Sequence, residues 1–199
     1  MLGGKSFDRI YQITRFTSQQ KTLNMKNKKD IINKILKMAK RDQSLRMKYL
    51  KTYNEEDLQR IKEVDKLNRE EFKKIFKEIG YISSEYGKEV QLAAFLIVQH
   101  MPKDHTPFMK KYLSLMKDDL GNINPLNYAQ LVDRVRIYEG KKQLYGTQFT
   151  SINGKKDTYK LYKIYNPKEV DKRRKEIGLE PLKEYIEKIS KERNITIIT

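Results

Sequence analysis

Residues 93–98 read Ala-Ala-Phe-Leu-Ile-Val, a stretch with no polar face. A helix that is apolar on every side belongs in the middle of a core, because any surface placement would leave one face in water. Ser83 or Ser84 can cap this helix at its start, and Pro102 stops it just after His100. Everything else in the chain must therefore be able to wrap a central helix.

The flanking segments carry the period needed to do so. From Lys28, Ile31, Ile35, Met38, Leu45 and Tyr49 form one stripe, beside Ile32, Leu36, Ala39 and Leu50. Leu58, Ile61, Phe72, Ile75 and Ile79 predict a second helix over 55–79, with Gly80 as its C-cap. A fourth helix fits 106–120, with Pro107 in its first turn, and a fifth fits 125–139, with Asn124 as cap and Gly140 as terminator. The pattern then changes. Residues 143–165 are rich in Tyr, Thr, Phe and Ile around Asn153-Gly154 and predict a β-hairpin. A short helix follows Pro167 as far as Ile177, and Pro181 opens a last one. The fold class expected is mainly α: a single-domain helical bundle over 27–199 with one β-hairpin in its C-terminal half. Residues 1–26 show no period and are expected to form an irregular basic leader.

Composition narrows the function classes. The 199 residues hold no cysteine, which excludes disulfides, thiolate zinc sites and cysteine nucleophiles. No apolar run approaches the ~18 residues of a membrane span, and the N-terminus lacks the apolar stretch of a signal peptide. A cytoplasmic protein that does not enter the membrane is expected. The net charge is +17, and residues 1–51 contribute 14 basic against 3 acidic side chains. Lysines within 26–41 are able to attract a phosphate backbone, although a solvated helix face explains them as simply. The P-loop, GxSxG, HExxH and dinucleotide-binding patterns are all missing.

The informative residues are polar ones on stripes that should be apolar. The first helix carries Asp42 on one stripe and Gln43 and Arg46 on the next; Asp42 and Arg46 are four apart and can pair. Asp65 and Asn68 interrupt the second helix, Gln99 and His100 end the third, and Asp133 with Arg134 interrupts the fifth. Buried charges need partners, so these groups are expected to meet in a pocket or form a structural network. His100 is the candidate acid/base, since an ordinary imidazole titrates near ~6.5. Asp42 and Asp133 are candidate catalytic partners, with Asp65 able to orient the ring as well. Arg46 and Arg134 can hold an anion, while Gln43, Asn68, Gln99, Gln143, Tyr145, Thr147 and Gln148 complete the candidate ligand contacts. No metal or cofactor is called for: His100 and His105 are poorly spaced as ligands, and the arginines oppose a cation. Carboxylates sharing Mg²⁺ or Mn²⁺ with substrate are the lesser alternative.

The succession Asp42–Arg46 (DQSLR), Val64–Asn68 (VDKLN), Ile97–His100 (IVQH) and Asp133–Gln148 (DRVRIYEGKKQLYGTQ) resembles the bacterial domain-of-unknown-function family 6624. Glu169–Tyr185 is similar too. The resemblance covers about residues 30–187 and brings no established reaction. It implies that the stripe residues are shared motif positions of one common site. Two functions are expected from these observations: an enzyme or ligand-binding domain for a small anionic molecule, or a basic module that binds nucleic acid or an acidic protein and has a purely structural polar interior.

Overall fold

The computed structural model describes the backbone of residues 4–152 and 157–199, and the side chains from Asn27 onward within those ranges. Seven α-helices and a three-stranded sheet make up the regular structure among these residues. α1 (Gly4–Thr52) and α2 (Glu55–Ile79) form a long antiparallel pair. Their tight turn is closed by chemistry local to the sequence. Asn54 caps α2 by accepting from the Glu56 amide, and Glu55, Glu56 and Asp57 suit the positive end of the helix dipole. The buried Asp57 carboxylate accepts from Lys48 (2.7 Å) and Thr52 (3.0 Å) across the turn. The Lys48 bond holds that carboxyl below its ordinary value.

α3 (Lys88–Gln99) runs through the centre, packed against α1, α2, α4 (Thr106–Asp118) and α5 (Pro125–Tyr138). Ala94 and Val98 are fully buried, Ala93, Phe95 and Ile97 nearly so, and Leu96 is half-buried. Ile31, Ile35 and Met38 from α1 and Phe72, Ile75 and Phe76 from α2 complete the core. Phe72, Phe76, Phe108 and Tyr112 meet edge to face or tilted, with ring centroids 5.1–6.4 Å apart. Among the described residues no helix is long and apolar enough to cross a membrane.

Beyond α5 the chain forms a small sheet and two further helices. β1 (Phe149–Ser151) pairs antiparallel with β2 (Thr158–Leu161), Thr150 opposite Lys160, as a hairpin whose Asn153-Gly154 tip lies outside the described residues. α6 (Val170–Glu176) and α7 (Leu182–Arg193) follow. The last strand, β3 (Thr196–Ile198), joins β2 in parallel, so the sheet has one strand more than the hairpin expected from the sequence.

Two expectations need correction. The leader expected to be irregular is helical from Gly4 onward, continuous with α1. No glycine or proline stands between Lys5 and Thr52, and extending an existing helix adds one hydrogen bond per residue with no new nucleus to form. The serines do not cap α3. Ser84–Tyr86 form a 3₁₀ turn, and α3 starts after Gly87, whose φ of +90° breaks the helical path.

The core assignment predicts that Ile35→Ala, at a fully buried position, lowers unfolding free energy by about 2–5 kcal/mol. Leu67→Ala, at an exposed position, should stay within about 0.5 kcal/mol of the parent in the same urea titration.

Candidate functional site

The polar stripe residues fall into two groups that use different partners. The first gathers at the place where α1, α2 and the C-terminal end of α3 meet. Asp42 is only 3% exposed. Arg46, one turn further along α1, donates through Nε to Asp42 Oδ1 (2.8 Å) and through Nη2 to both oxygens of Asp65 on α2 (2.6 and 2.8 Å). Gln43 Nε2 donates to Asp42 Oδ2 at 2.6 Å. His100 terminates α3, and its Nδ1 lies 3.1 Å from the same Asp42 oxygen, out of line for a straight hydrogen bond. Since Nδ1 is buried, the 19% exposure of the His100 side chain belongs to the rest of the ring. One face of the cluster therefore reaches solvent through His100, Arg46 and Asp65, while Asp42 lies beneath them.

The electrostatics of the two acids differ. Burial works to raise Asp42, but the contact with His100 and the charges of His100 and Arg46 outweigh it and bring the carboxyl down to about 2. At Asp65 burial prevails and the carboxyl is raised, despite Arg46. The cluster as drawn carries two carboxylates, one guanidinium and one imidazole. It is balanced when His100 is protonated and carries a net negative charge when it is not. Ligand atoms of Asp42, Asp65 and His100 lie within 4.8 Å of one another, a spacing that could hold a cation. Arg46 already occupies both carboxylates, so a cation there would have to displace the guanidinium.

The second group closes the loop that leads into β1. Asp133 on α5 is fully buried, and its two oxygens accept from the amides of Leu144, Tyr145 and Thr147 and from the Thr147 hydroxyl. Burial still raises its carboxyl against all of these donors. Gln143 exchanges bonds with the Gln148 backbone in both directions and donates to Tyr162 O, while Gln148 Nε2 reaches Gln130 O. From behind, Arg174 donates to Tyr145 O and Glu180 O (both 2.6 Å), with its guanidinium 4.6 Å from the Tyr185 ring centroid. Gly146 has φ +75°, and a Cβ there would come within 2.6 Å of Leu182 Cδ1, so only glycine fits between loop and α7.

These bonds revise the expectation of one shared pocket. Asp42, Gln43, Arg46, Asp65 and His100 come together, whereas Asp133, Gln143, Tyr145, Thr147 and Gln148 form a loop clamp whose polar atoms serve one another. The oxygens of Asp133 are committed to backbone donors, which suits a structural anchor and leaves little room for acid/base work. Asn68 belongs to neither group. It accepts from Arg41 and donates to Met38 O, tying α2 to α1. Gln99 Oε1 and Arg134 Nε are buried without hydrogen-bond partners among the described residues; the Arg134 guanidinium lies 5.9 Å from the centroid of Tyr138, whose hydroxyl bonds Met101 O beside His100. The sequence reading did not single out Arg174. Its only signal there was a basic residue in a short helix between Val170 and Leu179, both buried.

A mainly helical domain with a half-open Asp–His–Arg–Asp cluster at one end of its central helix is the class of protein these features define. The chain belongs to the family of unknown function DUF6624, whose model matches residues 29–196. No curated protein and no solved structure matches it.

Two outcomes follow from the two groups. Asp133→Ala would leave the Leu144, Tyr145 and Thr147 amides without their acceptor and should cost about 3 kcal/mol in urea unfolding. Asp42 has a depressed carboxyl in the folded state, so its stabilisation is present above the unfolded value of 3.8 and is lost as pH falls towards about 2. The stability difference between the parent and Asp42→Asn should thus be full at pH 5 and shrink steadily below pH 4, as followed by urea titrations across that range.

Proposed function

We propose that the Asp42–His100–Arg46–Asp65 cluster is the working site of an enzyme or ligand-binding domain for a small anionic molecule. The observation that carries this reading is the pairing of Asp42 with His100 Nδ1 at 3.1 Å, with the remaining ring exposure directed elsewhere. A carboxylate at Nδ1 favours the tautomer with its proton on that nitrogen. Nε2 is then an unprotonated base, able to take a proton from a substrate hydroxyl or a water and return it later. Asp42 stabilises the imidazolium formed in between. Arg46 spends Nε and Nη2 on the two acids, and its Nη1 has no partner among the described residues. That nitrogen supplies a donor for a phosphate or carboxylate oxygen arriving beside His100. Protonation of His100 brings the cluster to charge balance, so an anion binds more tightly to the protonated form.

The test is a titration with inorganic phosphate and acetate, read from the imidazole resonances of His100. Phosphate up to about 20 mM, a range that captures weak sites, should shift the His100 ring resonances. Arg46→Ala should suppress the shift, and His100→Ala should keep the parent's helix content and melting temperature nearly unchanged. Unmoved resonances, together with a large loss of stability in His100→Ala, would make the cluster structural.

A second reading has its own observation in favour. Lys29, Lys37 and Lys40 are exposed on α1 and form no ion pair among the described residues, in the most basic quarter of the chain. Nucleic-acid binding through residues 26–41 would give affinity that falls linearly with the logarithm of salt concentration, with a slope reduced in a Lys29→Glu/Lys37→Glu/Lys40→Glu variant. A salt-independent affinity, or none, would remove this reading.

A further inference from the structure

A cleft of about 700 Å³ opens at the other end of α3, between the N-terminal turns of α3 and α5 and the C-terminal end of α4. Lys88 in this cleft and His100 stand at opposite ends of a helix of 12 residues, which at ~1.5 Å per residue puts them about 18 Å apart along its axis. The volume is in the range of small-molecule sites. Its lining has a definite chemical order. Tyr81, Leu92, Phe95, Tyr112 and Met116 supply its apolar side, the Tyr81 and Tyr112 ring centroids being 5.2 Å apart with the rings tilted by 60°. The amides of Gln91, Asn122 and Asn127 surround it. Lys88 is the sole charged side chain of the lining. It stands at the first residue of α3, where Gly87 offers no side-chain cap and the first amides of the helix are left without one.

Two buried polar groups there have spare capacity. Gln91, 8% exposed, donates through Nε2 to Asp119 (3.3 Å), while its Oε1 accepts no hydrogen bond among the described residues. Tyr112 is 2% exposed and its hydroxyl has no hydrogen-bond partner among the described residues. Burial, with Tyr81 and Asp119 close by, pushes its phenol well above the ordinary value, so it remains a neutral donor. Both residues line the cleft, and these two oxygens are open to it rather than sealed from solvent without a partner. Asp119 holds the wall in place by accepting from Gln91 and Asn122.

We propose that this cleft binds a nucleoside monophosphate or a close chemical relative, its heteroaromatic ring against the apolar side and its phosphate at Lys88 and the α3 N-terminus. The ring edge meets Gln91 Oε1, the Tyr112 hydroxyl and the asparagine amides, which can read a nucleobase's donors and acceptors. The phosphate takes the uncapped amides of α3, where the helix dipole favours negative charge. The site is independent of His100 in both position and chemistry.

Isothermal titration calorimetry of the full chain with AMP, GMP, CMP and UMP, with adenosine, guanosine, cytidine and uridine, and with inorganic phosphate tests this. At least one monophosphate should bind with a dissociation constant below about 1 mM. Its nucleoside should bind about tenfold more weakly, and phosphate alone should give no heat at this site. Lys88→Ala should weaken the monophosphate about tenfold while leaving the nucleoside unchanged. Tyr112→Phe, which removes only a hydroxyl, should weaken both with unchanged circular dichroism. His100→Ala should bind as the parent does, whatever becomes of the proposal for that residue. Absence of binding by all four monophosphates at about 5 mM, binding indifferent to both Lys88→Ala and Tyr112→Phe, or binding lost in His100→Ala would overturn the assignment.

Discussion

A carboxylate on the core face of a long helix has to be answered by partners, and Asp42 is that carboxylate. At 3% exposure it is beyond the reach of bulk water, and an unpaired charge there would cost several kcal/mol. The fold supplies Arg46 from the same helix, Gln43 from the next stripe and His100 from the end of α3. Arg46 in turn needs Asp65, which fixes α2. One buried charge therefore sets the relative position of three helices at a single point. It also holds an imidazole where that ring can reach solvent.

The loop clamp follows the same rule at a second place. Asp133 is buried more deeply than Asp42, but its answering donors are backbone amides, not ionisable side chains. With backbone donors on both oxygens, an acid becomes an anchor for the turn that starts the hairpin. At Asp42 the partners are a partly exposed imidazole and a guanidinium that bridges two acids, both ionisable. The difference lies in what the partners can still do, and burial alone does not reveal it.

This distinction marks what was legible in the sequence. The helices were readable because their apolar periods are long and their stops are strong: α2 ends at Gly80, and α5 is bounded by Asn124 and Gly140. The odd placement of Asp42, Asp65, His100 and Asp133 on apolar stripes was readable too, since helical spacing puts them on the core side. What spacing does not encode is which stripe meets which. The groups expected to share one pocket stood on core-facing or loop positions, yet Asp133, Gln143 and Gln148 bond within the loop that leads into β1. β3 was missed because Thr196–Ile198 is too short to show alternation, and its pairing with β2 is a long-range contact. The cleft at the start of α3 was missed for a similar reason. Its floor and rim come from three helices and two connections, and Tyr112 and Phe95 read as ordinary core residues until their neighbours are placed.

The proposed role of His100 requires Asp42 to hold the ring with its proton on Nδ1 and its Nε2 free. Long-range ¹H–¹⁵N correlation spectra of the His100 ring, recorded on the parent and on Asp42→Asn at a pH where the imidazole is neutral, read this directly. The parent should show the Nδ1–H tautomer with Nε2 unprotonated, and Asp42→Asn should shift the ring towards the Nε2–H form. A parent ring already in the Nε2–H form, or spectra identical in the two proteins, would contradict it.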